Sequence, residues 1–198
     1  RLSLLTNMAA RSEAAAIENE ASEELKEAKP AMEQANEAVN CLSKASLTEL
    51  KSFSKPPPGV DKVTTAVLIM LKGEKKNFSW ENAKKMMAKV DAFKTSLESY
   101  RGEDIPEDVV KRVAPVMADP EFNVATMKKK SDAAANLCSW VINIVTFNRI
   151  YLKVKPLMER LAVAQATKAE AQAKLDAVNA IVAEVEARLA KLQAQFLE

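Results

Sequence analysis

Residues 157–196 read LMERLAVAQATKAEAQAKLDAVNAIVAEVEARLAKLQAQF. Apolar side chains recur there at alternating steps of four and three: Leu157, Leu161, Ala164, Ala171, Leu175, Val178, Val182, Val185, Leu189, Leu192 and Phe196. Lys168 is the one position out of pattern. A 3.5-residue average held over more than five heptads marks the seam of a coiled coil, whereas an ordinary amphipathic helix drifts off such a line. Near the other end, Leu25, Ala28, Met32, Ala35, Val39 and Leu42 repeat the spacing, and Leu5, Met8, Ala14 and Ala21 extend it upstream. Each end segment is about 42 residues, or about 60 Å if fully helical. Matched lengths around a central block predict one antiparallel hairpin, with arms at 1–43 and 156–198 and with Leu25–Leu42 alongside Leu157 and its successors. A parallel dimer of such arms is the alternative arrangement.

The centre, 44–155, reads differently. It holds all three glycines, both tryptophans and most of the prolines. Ser46 followed by Glu49 has the spacing of a capping box and predicts a short first helix, which Pro56, Pro57, Pro58 and Gly59 stop. Val60, Val63, Val67 and Leu71 predict a second helix ending at Gly73. Ser79 caps a third, with Trp80, Ala83 and Met87 inward and a continuation or break near Asp91. Pro106 with Glu107 and Asp108 opens a fourth, because proline suits the first turn and acids suit the dipole there. Pro115 and Asp119-Pro120 are expected to end it. From about Ser131 to Val154, Leu137, Trp140, Val141, Ile144, Val145, Phe147 and Ile150 leave little polar circumference, which predicts the central buried helix. The expected fold is all-α, a coiled-coil hairpin capped by a small multi-helix bundle.

Composition narrows the chemistry. With 3 glycines in 198 residues and 5% aromatics, the chain is poorly suited to sandwiches, barrels or doubly wound sheets. Histidine is absent, so Ser-His and Cys-His pairs and imidazole zinc ligands are excluded. Cys41 and Cys138 alone make neither a disulfide framework nor a four-thiolate metal site, and two lone thiols suggest a reducing compartment. The glycines are too isolated for a phosphate loop. Glu103-Asp104 and Glu107-Asp108 flank a helix start and read as solvent-facing dipole partners. No catalytic residue, cofactor or metal is therefore expected, and no apolar run reaches the roughly 18 residues of a membrane span.

Charge separates the same segments. Residues 44–155 hold 20 Lys and Arg against 13 Asp and Glu, while the arms hold 9 against 14, so a basic centre is hidden within a total of +2. Lys128-Lys129-Lys130, Lys84-Lys85 and the series Lys44, Lys51 and Lys55 are its clusters. Arginine is scarce there and no zinc finger or RNP-type motif is present, so an acidic protein surface is a better partner than nucleic acid.

Several stretches together resemble the stalk and microtubule-binding domain of dynein heavy chains, most closely the outer-arm β type of axonemes. They are Ala28-Lys29-Pro30, Leu47-Thr48-Glu49-Leu50-Lys51-Ser52-Phe53 with the proline run after it, Ser79-Trp80 with Ala83-Lys84, Asp119-Pro120-Glu121-Phe122-Asn123, Leu137-Cys138-Ser139-Trp140-Val141-Ile142-Asn143, and Val154-Lys155-Pro156. The resemblance covers essentially the whole chain. It implies docking at the α/β-tubulin groove of a microtubule, with Lys44 and Lys51 on the family's first helix, Lys84 on its third and Lys129 approaching its sixth. Lys128 and Lys130 are neighbours in the same cluster.

The resemblance also implies a ciliary or flagellar axoneme, a monomeric chain and no ATPase ring within it. Outer-arm light chains become further partners, although a leucine-rich-repeat light chain belongs to γ-type heads. Ala125 stands where cytoplasmic members carry an acid near the basic contact, and Lys155 where an acid usually precedes the proline. The short link from Leu71 to Trp80 leaves out the flap of some inner-arm relatives. Sliding between coiled-coil registers would set track affinity, with Pro30 and Pro156 as hinges or as helix ends at the stalk junction. The rival reading is a structural coiled-coil hairpin with a dimerising or nucleic-acid-binding head.

Overall fold

The protein is described from a computed structural model covering the backbone of residues 2–196 and the side chains of residues 12, 14–191 and 193. The described residues form helices and no strand. In order these are α1 (Leu2–Asn40), α2 (Lys44–Ser52), α3 (Val60–Lys72), α4 (Trp80–Met86), α5 (Val90–Glu98), a 3-10 turn at Gly102–Asp104, α6 (Glu107–Met117), α7 (Val124–Lys128) and α8 (Asp132–Phe196). Packing divides the chain into Arg1–Glu23 with Val154–Glu198 as one unit and Glu24–Lys153 as the other.

In the first unit Ile17 and Ala21 are buried, Leu157, Leu161 and Ala164 are half-buried, and Leu175, Val178, Val182, Val185 and Leu189 are about half exposed. The side chains of Leu5, Met8, Leu192 and Phe196 lie outside the described residues.

In the second unit α1 and α8 run antiparallel. Ala28, Ala31 and Met32 pack with Phe147, Ile150 and Tyr151, while Ala35, Ala38, Val39 and Leu42 join the main core with Ala133–Ala135, Leu137, Trp140, Val141, Ile144 and Val145. This corrects the expected register, which set Leu25–Leu42 against Leu157 and its successors. The apolar circumference of α8 begins at its first turn, so the end of α1 is already occupied by residues upstream of Val154.

Trp140 anchors the core with its ring edge-on to Tyr100, centroids 5.4 Å apart. Burial pushes the Tyr100 phenol up to about 12, and it pushes the Cys138 thiol to about 12 as well, leaving that thiol uncharged and inert. A β-carbon on Gly102 would sit 2.5 Å from Cδ1 of Phe147, and the buried Asn148 amide donates to the Gly102 carbonyl at 2.7 Å. That pair locks the 3-10 turn onto α8.

Several local signals hold. Gly73 ends α3 in the left-handed region at φ 62°, Ser79 caps α4, and Pro106 caps α6 before Glu107 and Asp108. The break before α5 falls at Met87–Lys89. Others shift. The box at the start of α2 is Ser43 with Ser46, not Ser46 with Glu49: the amide of Ser46 donates to Oγ of Ser43 at 2.9 Å, and the amide of Ser43 donates to Oγ of Ser46. The helix thereby takes in Lys44. Pro115 lies inside the last turns of α6 and does not end it. Pro30 and Pro156 lie within α1 and α8, both solvent-exposed, so the helix-end reading of these two is wrong. Each lacks the amide that would continue the helix ladder, at an exposed position.

Candidate functional site

The basic clusters meet around the loop after α2. The indole Nε1 of Trp80 donates to the Phe53 carbonyl at 3.0 Å, which ties the start of α4 to the end of α2. Lys51 reaches from α2 to the Ala88 carbonyl in the α4–α5 turn at 3.5 Å. On the other side, Lys130 donates to the Pro58 carbonyl at 2.6 Å and pairs with Glu121. Gly59, at φ 85°, lets the loop lie so close to α7 that a β-carbon would meet Cε of Met127 at 2.8 Å. The segment Lys51–Gly59 thus bridges α4 on one side and the α7–α8 turn on the other.

Each expected lysine has a distinct setting. Lys44 is exposed in the first turn of α2, a helix with no acid in that turn. A cation at a helix N-terminus costs about 0.3–1 kcal/mol, so Lys44 concentrates positive potential where the backbone already supplies some. Lys84 lies over the Trp80 ring, 5.8 Å from its centroid, which orients its ammonium. Lys129 is exposed at the C-terminus of α7. Lys128 pairs with Asp132 at 2.8 Å, and the mostly covered Lys130 is the clamp just described. Lys44, Lys51, Lys84 and Lys129 make no ion pair among the described residues, whereas Lys128 and Lys130 are internally engaged.

Sequence reasoning missed α7. The Oδ1 of Asn123 accepts the Thr126 amide at 2.7 Å, and Asp119 turns the chain by accepting the Glu121 amide at 2.9 Å. An Asn three residues before Thr, after Asp-Pro, was the available signal. It also missed the clamp partners Pro58 and Glu121 and the pair of Lys62 with Asp119 at 2.7 Å. Hydrogen bonding to Lys62 holds the Asp119 carboxyl below its usual range, and Asp119 raises Lys62 in turn. The carboxylate's contribution is present above the ordinary aspartate range and fades as pH falls through the depressed value. The ammonium's contribution fades only as pH rises through the elevated one. Both groups are solvated, so the pair orients the 118–123 turn more than it stabilises it.

Among the described residues no three His, Cys, Asp or Glu side chains converge as a metal site, and no helix is long and apolar enough to cross a membrane. What the site presents is a set of ammonium groups without an ion pair among the described residues, on short helices that cross-brace one another.

A strand-free bundle of short helices with several exposed lysines, and with no metal cluster among the described residues, has the character of a binding domain. The family model for the microtubule-binding stalk of the dynein motor matches residues 9–198, and the chain belongs to that family. It is 45% identical over 161 residues to human dynein axonemal heavy chain 9, covering 80% of this chain and 4% of that one. It is 47% identical over 148 residues to the ciliary dynein beta chain of Tripneustes gratilla, covering 73% and 3%. Among solved structures, the microtubule-binding domain of dynein-c matches with a TM-score of 0.58 and 36% identity, over 69% of this chain and 94% of that one. The chain thus spans only 3–4% of the length of the heavy chains it resembles. These likenesses do not favour a chromosome-organising hairpin or a nucleic-acid-binding head.

Proposed function

We propose that the chain grips the α/β-tubulin groove of a microtubule through Lys44, Lys51, Lys84 and Lys129, and that coiled-coil register sets the strength of the grip. One observation supports the first part: among the described residues these four ammonium groups form no ion pair, Lys51 touching only the Ala88 carbonyl and Lys84 the Trp80 ring, while Lys128 and Lys130 are held by Asp132 and by Glu121 with Pro58. Lys128 and Lys130 then act by holding the α7–α8 turn, and their direct contribution to tubulin contact is the smaller one.

The register reading rests on the small residues of α1. Between the buried Ile17 and Val39, its buried layers are Ala21, Ala28, Ala31, Ala35 and Ala38, and each alanine contributes far less than the roughly 1.5–3 kcal/mol of a leucine-sized group. Offsets of part of a heptad therefore differ little in energy, and Pro30 and Pro156 are the hinges where the helices adjust. In this reading the chain works as a monomer at the tip of an axonemal heavy chain in a cilium or flagellum, with outer-arm light chains as further partners. ATP hydrolysis belongs to a motor ring elsewhere in the heavy chain. Co-sedimentation with microtubules tests both parts. The wild type pellets less as salt rises, and two variants locked in different registers by interarm disulfides pellet with different affinities. Salt-independent pelleting would remove the lysine contacts, and equal affinity in both locked variants would remove register control.

A further inference from the structure

A second basic feature lies outside the four proposed contacts. A groove of about 260 Å³ opens between the end of α3, α4 and α5. Its floor is apolar, with the buried Phe93 and the half-buried Leu71 and Met86, and its rim carries the exposed Lys72, Lys85 and Lys89. None of its lining residues is acidic; Asp91, in the first turn of α5, is not among them. Among the described residues none of the three rim lysines forms an ion pair, in contrast to Lys62, Lys111, Lys128 and Lys130.

Local structure accounts for two of these lysines only in part. Lys72 and Lys85 lie in the last turns of α3 and α4, where a cation is favoured by the dipole. Lys89 is different. It is the N-cap residue of α5, makes no side-chain cap bond, and sets a cation at the positive end of a nine-residue helix. Nothing internal rewards that placement, and the potential of α5 adds to that of the ammonium groups.

We propose that this groove docks an extended, glutamate-rich peptide segment of a partner protein, with one apolar side chain seated on Phe93, Leu71 and Met86 and its carboxylates facing Lys72, Lys85 and Lys89. Charge complementarity selects this occupant: an uncharged apolar segment would leave three desolvated ammonium groups without partners, and a basic one would be repelled. The groove is too open to hold a small molecule by enclosure. A peptide lying along it gains from several weak charge contacts and one apolar anchor.

The test uses the whole chain and a fluorescein-labelled twelve-residue glutamate-rich peptide with one central phenylalanine, read by fluorescence anisotropy at low salt. The expected result is saturable binding that weakens by roughly tenfold or more in K72E/K85E/K89E, a loss equivalent to about 1.4 kcal/mol or more. Binding also weakens when the peptide phenylalanine becomes serine, and it persists in K44E/K129E and in K111E. Unaltered helicity by circular dichroism excludes unfolding, since all the substituted groove positions are exposed. Equal binding by K72E/K85E/K89E, or no binding by the wild type, overturns the proposal. Because K44E/K129E is measured in the same assay, loss of peptide binding there and not in the groove variant would overturn the proposal and assign the peptide to the proposed tubulin-facing lysines instead.

Discussion

The triple variant K44E/K51E/K129E loses microtubule affinity by on the order of 100-fold or more while keeping its helicity. Each reversal removes an attraction to an acidic surface and adds a repulsion, about 1 kcal/mol apiece at 4 Å in a water-like dielectric, and salt screens part of the sum. All three side chains are at least partly exposed, and none is in an ion pair of the described structure, so the folded state loses little. The control is K128E/K130E, which breaks the pairs with Asp132 and Glu121. That variant is expected to lose stability and to lose binding only to the extent that the α7–α8 turn loosens. Co-sedimentation and thermal melting separate the two effects. If K128E/K130E abolished binding at unchanged melting temperature while K44E/K51E/K129E bound normally, the assignment of roles would be reversed.

Replacing Trp140 by alanine has the largest expected effect on stability. Its side chain is fully buried in the core that α8 shares with α1 and α3, and its ring edge meets Tyr100. Removing such a ring costs about 3–5 kcal/mol, a large part of the 5–15 kcal/mol that holds a typical domain. A fall in melting temperature of roughly 10 °C or more follows. Because the core lies within Glu24–Lys153, near-ultraviolet dichroism and tryptophan emission should collapse before the far-ultraviolet signal of the long helices. Trp80 remains as the emission reporter. A melting temperature within a degree or two of wild type would mean that the core does not depend on this ring.

Single residues with one strong local preference were legible in the sequence. Gly73, Ser79 and Pro106 each mark a helix boundary because left-handed backbone, side-chain capping and a missing amide act over one turn. The buried character of 131–154 was legible too, since a helix apolar around its circumference has nowhere else to go. Where two local signals competed, the reading slipped. Ser43 and Ser46 cap each other, and the Ser46–Glu49 spacing hid that. Pro115 read as a helix stop, and Pro30 and Pro156 as helix ends or hinges; all three lie inside helices, which overturns only the stop and end readings, because a continuing helix needs only that the lost hydrogen bond fall on a wet face. Antiparallel register was the hardest part. A seam repeats every heptad and so fits several offsets, and the observed one depends on Phe147 and Tyr151 lying within reach of Ala28.

The candidate site was legible as charge and not as pairing. Lys128-Lys129-Lys130 is one cluster in sequence and three different roles in space: an ion pair with Asp132, an exposed ammonium, and a clamp on Pro58 and Glu121. Asp132 is one helical turn on from Lys128, but Pro58 comes from the loop after α2 and Glu121 from the turn before α7, so no spacing rule joins those two to Lys130. The groove itself was hidden, because Lys72, Lys85 and Lys89 come from three elements, although Lys85 already stood out beside Lys84 as a basic pair.

Lysine footprinting on microtubules reads the proposed contact surface residue by residue. The chain is acetylated briefly, free and bound to polymerised tubulin, and each lysine is followed by mass spectrometry. Lys44, Lys51 and Lys129 are expected to lose reactivity on the microtubule while Lys111 and Lys153 keep theirs. Undiminished reactivity at Lys44, Lys51 and Lys129, with protection at Lys111 or Lys153 in its place, would contradict the proposed contact surface.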